Sequence, residues 1–212
     1  MEKKKSSVSA ARSTTSAAAR FDAAYYRRFY FTRATRAMSR EETNARGALI
    51  AALVKQLDIP VARILDIGCG LGWYARPLLK IFRGAEYVGV EISEHLCAKY
   101  GWTRGSIVDV KLNGQFDLIV CADVVQYLDD RDAARALANL AKWCRGALYF
   151  HAPTRRDWRD NVDHAGTDVH VHLRSARWYR NQLRKRFVHA GCGVHVKEST
   201  PFAQWELEEP WR

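Results

Sequence analysis

With 212 residues the chain suits a single domain that buries a sizeable core; 48% of it is apolar, but no run approaches the roughly 18 residues of a membrane-spanning helix, so a soluble, cytoplasmic protein is expected. Five cysteines, at 69, 97, 121, 144 and 192, are odd in number and form no C-x-x-C, which argues against a disulfide framework or thiolate zinc site and for a reducing compartment. A formal charge of +11 keeps nucleic acid among the candidate partners, although a basic helix face is more often simply solvated.

Residues 1–19 are mostly Ser, Ala and Thr with Lys3, Lys4, Lys5 and Arg12, and almost no acid or large apolar side chain. Such a segment buries too little surface to offset its ordering entropy and reads as a disordered basic tail. A transit peptide, equally Arg- and Ser-rich and acid-poor, is the sharper alternative. The domain then runs over 20–212 and begins with a helical cap, 20–58. Phe21, Tyr25 and Phe29 recur there at helical spacing, among Tyr26, Tyr30 and Phe31. Glu41 to Leu57 is a helix with an apolar stripe at Ala45, Leu49, Ala52, Leu53 and Leu57, ended by Asp58-Ile59-Pro60.

Arg63 to Tyr74 reads as an apolar strand, a glycine-rich turn and the start of an amphipathic helix that reaches Phe82. The glycines let the backbone turn sharply and approach a ligand with no Cβ in the way, next to the unpaired N–H groups of a helix start. Their spacing separates two kinds of ligand. A dinucleotide loop is spaced G-x-G-x-x-G, whereas Gly68, Gly70 and Gly72 are spaced G-x-G-x-G behind Asp66. One strand–helix–strand unit later, Tyr87 to Ile92 reads as a second buried strand carrying Glu91, an acid able to accept from both hydroxyls of a ribose.

These two motifs together resemble class I S-adenosylmethionine-dependent methyltransferases of the small-molecule type, over about residues 20–207. The resemblance implies an α/β fold with a doubly wound, seven-stranded, mostly parallel, Rossmann-like sheet and an antiparallel C-terminal strand pair. It implies S-adenosyl-L-methionine as cofactor. The loop of Gly68, Cys69, Gly70 and Gly72 would wrap its amino-acid end, with Asp66 near the ammonium group and Glu91 and Ile92 at the ribose. It also implies that the aromatic cap closes over the cofactor, with Tyr25, Tyr26 and Tyr30 in the substrate pocket.

Further on, Ser93 is a candidate N-cap for a short helix to Tyr100. Gly105-Ser106 departs from the family's Gly-Asp, which leaves adenine recognition to the Ser106 hydroxyl and the Ile107 backbone, while Asp109 is expected to face solvent or cap a turn. Phe116 to Val120 is the fourth strand, with Asp117 expected to hold the sheet turn. The stretch Cys121 to Leu128 resembles the family segment beside the cofactor's methionyl part. Cys121, Ala122 and Asp123 would meet the crevice there, Asp123 as the candidate pocket carboxylate, and Tyr127 stands where the family often has His. Asp132 to Arg145 reads as an Ala-rich helix capped by Gly146, and Ala147 to His151 as a fifth strand that sets His151 beside the site.

Residues 153–173 fit no standard core element, and insertions at this point build the substrate pocket in the superfamily, which makes His164 a candidate lining residue. Asp168, His170 and His172 alternate, so a strand would put them on one face. The donor set suits a transition metal, but an imidazole near neutrality suits a general base better. His170 and His172, together with Asp123, are therefore the catalytic candidates, and no metal is assigned. Ser175 caps a helix with an apolar stripe at Trp178, Leu183 and Phe187, which stops at Gly191-Cys192-Gly193. His195 to Glu198 and Phe202 to Leu207 read as the closing antiparallel pair.

A sulfonium is already an activated methyl donor, so such an enzyme aligns a nucleophile and excludes water, and needs a base only for an acceptor that is protonated at neutral pH. The expectation is methyl transfer to O or N of a small-molecule acceptor. An RNA methyltransferase is the first alternative, but no Asn/Asp-Pro-Pro-Tyr/Phe motif follows the fourth strand to hold a flipped base. A non-catalytic subunit of a ribonucleoprotein assembly is the second. A second copy of the chain, as a homodimer, is a further candidate partner; a membrane is not.

Overall fold

The computed structural model of the protein describes residues 19–210, so nearly all of the expected basic tail lies outside the described residues. Seven strands are present: β1 (Arg63–Ile67), β2 (Glu86–Glu91), β3 (Thr103–Arg104), β4 (Phe116–Ala122), β5 (Cys144–His151), β6 (Phe187–Gly191) and β7 (Val194–Lys197). They form one sheet in the order β3-β2-β1-β4-β5-β7-β6, with β7 antiparallel to both of its neighbours. The helices are α1 (Ala23–Tyr26), α2 (Arg40–Gln56), α3 (Ala75–Ile81), α4 (Glu94–Tyr100), α5 (Asp130–Trp143), α6 (Arg155–Asp160) and α7 (Ala176–Leu183), and α1 runs on into a π-helical turn, Arg27–Phe31.

The central strands are apolar on both faces, as a sheet covered by helices on both sides requires. Leu65, Ile67, Ile119, Cys121, Leu148 and Phe150 pack in one layer with Leu137 and Leu140 of α5 and Tyr179 and Leu183 of α7. Their alternate neighbours Ile64, Leu118, Val120, Ala147 and Tyr149 form the other, with Ile50 and Val54 of α2 and Leu78 of α3. Each such Leu or Ile contributes about 1.5–3 kcal/mol on burial, so these two layers set the stability. Asp117 ties three segments at the sheet's lower edge, accepting from Ala62 N at 2.9 Å, Arg63 N at 2.8 Å and Arg145 Nε at 2.6 Å. The strand order reverses between β1 and β4, and their carboxyl ends open on one crevice.

Three expectations about the elements are corrected. In α2 the buried face is Thr43, Gly47, Ile50, Ala51 and Val54, and Ala45, Leu49 and Ala52 face solvent. The reason is a close helix crossing: a Cβ on Gly47 would lie 2.5 Å from Pro77 Cγ, so the small residue has to face α3. Gly146 is not a helix cap, because α5 ends at Trp143 and passes through an extended Cys144 directly into β5. Finally, the closing pair is β6 and β7, not His195–Glu198 with Phe202–Leu207. Cys192 and Gly193 join the strands with φ of 47° and 78°, the two positive values that a tight hairpin turn needs. Phe187, read as part of a helical stripe, is the first residue of β6, and Leu207 is 97% exposed within a 3-10 turn, Glu206–Glu208.

Candidate active site

The loop after β1 is clamped to β2, since Gly68 N and Cys69 N both donate to Val90 O, at 2.8 and 3.1 Å. Gly68 has φ of 70°, and a Cβ there would overlap Val124. Glu91, 4% exposed, ends β2. Its Oε2 accepts from Gly70 N at 2.8 Å, and its Oε1 from Ile92 N at 2.8 Å and Ser93 N at 3.0 Å. Burial pushes the Glu91 pKa up while the three N–H donors pull it back. A carboxylate has about four acceptor positions, so one remains, and bifurcated sharing can widen it to a diol. Asp66 is buried beside it and accepts from the Tyr87 hydroxyl. Burial outweighs that bond and pushes its pKa up to about 7.

A cavity of about 500 Å³ opens over the carboxyl ends of β1, β2, β4 and β5. Asp66, Gly68, Cys69, Gly70, Glu91, Ile92, Ser106, Ile107 and Ala122 form its inner side, all of them expected there. Ser106 is buried and its Oγ accepts from Val108 N at 3.2 Å. Tyr25, Tyr26, Tyr30 and Tyr127 form the cap side. The Tyr25 and Tyr127 hydroxyls are hydrogen-bonded at 3.0 Å, and Phe21 stands edge-on to both rings with centroids at 4.9 and 5.2 Å. Burial raises the pKa of each of these tyrosines, to about 12 for Tyr127, so all are neutral phenols.

The insertion supplies the outer wall through Trp158, Val162, Thr167, Asp168 and Val171. Arg20 of the cap forms an ion pair with Asp168, and its guanidinium lies 5.4 Å from the Tyr127 ring centroid. Burial works against the Asp168 charge, but the His170 N–H and Arg20 hold its pKa below the usual value. On the floor, Asp123 directly follows β4 and His151 ends β5. Asp123 N donates to His151 O at 3.0 Å, and His151 Nδ1 lies 3.0 Å from Asp123 Oδ1.

Five expected site residues stand elsewhere. Cys121 is fully buried in the core, because strand alternation that turns Ala122 to the cavity turns its neighbour away. Gly72 faces Trp102, whose Cζ2 would lie 2.5 Å from a Cβ there, and Trp102 Nε1 donates to Gly70 O at 3.1 Å. Residues 168–172 form no strand, so Asp168, His170 and His172 share no face. The His170 ring is 78% exposed, and His172 is exposed with only its backbone engaged, its N donating to Gln126 O at 2.7 Å and its O accepting from Arg174 Nη1 at 3.2 Å. Neither lines the cavity. His164 stacks on Trp158 at 5.0 Å without lining it either. Among the described residues no His/Cys/Asp/Glu cluster could hold a metal ion, and no helix is long and apolar enough to cross a membrane.

Several lining residues were not anticipated, two polar ones among them. Arg46 of α2 and Gln126 both reach the cavity, and Arg46 Nη1, Gln126 Oε1 and the Tyr74 hydroxyl are shut from solvent with no partner among the described residues. The available signal was a charge within the helical stripe, but it shows only when the buried face is read through Thr43, Gly47 and Ile50.

A doubly wound sheet with a glycine loop at the switch point, an acid closing β2 and a capped cavity defines a Rossmann-like methyltransferase fold. Residues 25–196 match the family described as "Methyltransferase domain", and the chain belongs to that family. It is 32% identical over 108 residues to trans-aconitate 2-methyltransferase of Deinococcus radiodurans, covering 46% of this chain and 40% of that protein. It is 30% identical over 121 residues to malonyl-[acyl-carrier protein] O-methyltransferase of Magnetococcus marinus, covering 49% and 44%. The matched part is thus less than half the length of these relatives. Among solved structures, magnesium protoporphyrin IX methyltransferase of Synechocystis PCC 6803, with bound S-adenosylmethionine, superimposes with a TM-score of 0.60 at 17% identity. That match covers 87% of this chain and 97% of that one.

Proposed function

We propose that this protein transfers a methyl group from S-adenosyl-L-methionine to O or N of a small molecule. The observation that carries the reading is one cavity with two chemistries: backbone-fixed polar groups on the inner side and an aromatic wall on the outer side. The residues present fit the cofactor. The remaining acceptor capacity of Glu91 suits ribose hydroxyls, and Ser106 and Ile107 suit an adenine edge. An amino-acid end carries one charge of each sign; Asp66 suits its ammonium group and the Arg46 guanidinium, whose Nη1 has no partner among the described residues, its carboxylate. A buried donor with no acceptor is costly, which an anionic ligand group relieves.

When bound, the cofactor supplies an electrophilic methyl group. The chain's own part is to orient the acceptor and keep water out, through the cap and the insertion. Its relatives' names, an O-methyltransferase among them, support the small-molecule reading. The RNA alternative draws no such support, since Arg177, Arg180 and Arg184 are exposed on or beside α7 and none lines the cavity. Calorimetric titration with S-adenosylhomocysteine, with and without total RNA, tests the proposal. Micromolar binding that RNA does not alter is expected. Failure to bind, with RNA retained, rejects it in favour of an assembly subunit.

A further inference from the structure

The geometry points to a phenolic hydroxyl as the acceptor, with His151, held by Asp123, as the general base that removes its proton. This rests on the methyltransferase reading above and narrows it.

Proton acceptors around the cavity are few. Burial keeps the tyrosines and Cys69 protonated. Glu91 and Asp66 are committed to the cofactor on the reading above, Asp168 pairs with Arg20, and Asp163 accepts from Ala165 N. His151 is left, at the carboxyl end of β5 and in the cavity wall. With Nδ1 donating to Asp123 Oδ1 at 3.0 Å, its Nε2 is the free lone pair, the arrangement a base requires. Asp123 reaches this position with a left-handed φ of 59°, which Asp and Asn adopt more readily than other non-glycine residues. Its N–H donates to His151 O, so backbone and side chain of one residue both serve the imidazole's strand end.

The acceptor class follows from what such a base can do. A carboxylate acceptor is already ionised at neutral pH; it needs no base, and Asp123 would repel it. An aliphatic hydroxyl, a far weaker acid, would have to lose its proton in concert with methyl transfer. A phenol, with a pKa of about 10, lies within reach. Phe29, Tyr26, Tyr30, Trp73 and Trp158 offer aromatic faces and edges to its ring. In the step, the hydroxyl proton passes to His151 Nε2 and the phenolate oxygen forms the new O–CH3 bond. The electrons of the broken S–CH3 bond stay on sulfur, giving a neutral thioether, and Asp123 balances the imidazolium.

The groups facing His151 set its titration. Burial and the charge of Arg46 lower its pKa, the hydrogen bond and charge of Asp123 and the more distant Asp157 raise it, and the net shift is above 6.5. Turnover should therefore rise with pH as His151 loses its proton, along a limb above 6.5. Asp123→Asn, which tolerates the positive φ, should move that limb to lower pH.

The test uses the full chain with S-adenosylmethionine and three probes: catechol, para-nitrophenol and trans-aconitate. Near neutral pH nitrophenol, the stronger acid, is already substantially ionised without help, whereas catechol keeps its proton. Methylation of both phenols is expected. In His151→Asn the ratio of catechol to nitrophenol turnover should fall by about 100-fold or more, the scale of general-base catalysis, with S-adenosylhomocysteine affinity retained. Equal losses on the two phenols, or methylation of trans-aconitate alone, overturns the inference while leaving methyl transfer itself standing. Loss of S-adenosylhomocysteine binding by the wild-type chain would instead remove the reading beneath it.

Discussion

Around the glycine loop the polar groups are tied to backbone: Glu91 takes the N–H groups of Gly70, Ile92 and Ser93, and Val90 O takes those of Gly68 and Cys69. The acceptor wall is closed differently, by side chains from distant parts of the chain. Arg20 meets Asp168, Tyr25 meets Tyr127, and the Ser93 hydroxyl meets Phe21 O. Backbone clamps between parallel strands keep a site formed whether or not it is filled. Single side-chain latches have low opening free energies, as a wall that admits and releases an acceptor requires. On the proposed reading the cofactor side is thus preorganised and the acceptor side gated.

The largest expected break is on the clamped side. Gly68→Ala combines a left-handed backbone with overlap of Val124, and should cost about 2–4 kcal/mol in urea unfolding, along with cofactor binding. Next is Glu91→Ala, which should weaken S-adenosylhomocysteine binding by about 1–3 kcal/mol in calorimetry. Wild-type affinity in that variant would remove the ribose assignment.

Protonation sharpens the comparison further. Asp66 has its pKa raised to about 7, so in the free protein it is largely protonated below neutrality, whereas an ammonium ligand prefers the carboxylate. Affinity should therefore rise with pH through neutrality, by up to about tenfold per unit on the acid side. Asp66→Asn should flatten the profile, and a flat wild-type profile would sever Asp66 from the ammonium group.

The smallest effect belongs to the latch. Arg20→Ala should leave unfolding nearly unchanged, since partly exposed pairs contribute about 0–1 kcal/mol, but raise the acceptor KM a few-fold and speed proteolysis within 20–38. Because the Asp168 pKa is depressed, the pair's contribution is present above the ordinary carboxylate range and lost as pH falls through the folded value. The same proteolysis should thus accelerate in acid for the wild type and not for the variant. A KM unaffected by the substitution would argue that the wall is rigid.

The sequence by itself determined the strands β1, β2, β4 and β5, the glycine turn, Glu91 at the end of β2, and the caps Ser93 and Ser175. It also marked Asp117 as the tie of the sheet. All of these follow from short-range rules: strand period, turn stereochemistry, and side chains bonding backbone within a few residues or across adjacent strands. Only the tertiary structure decided which face of α2 is buried, since that depends on Pro77 meeting Gly47 across a helix pair. It likewise decided which histidine faces the cavity. His151 does, because regular β5 aims it there. His170 and His172 do not, because their irregular segment takes its course from contacts such as Arg20 with Asp168, 148 residues apart in the chain, which no local periodicity encodes.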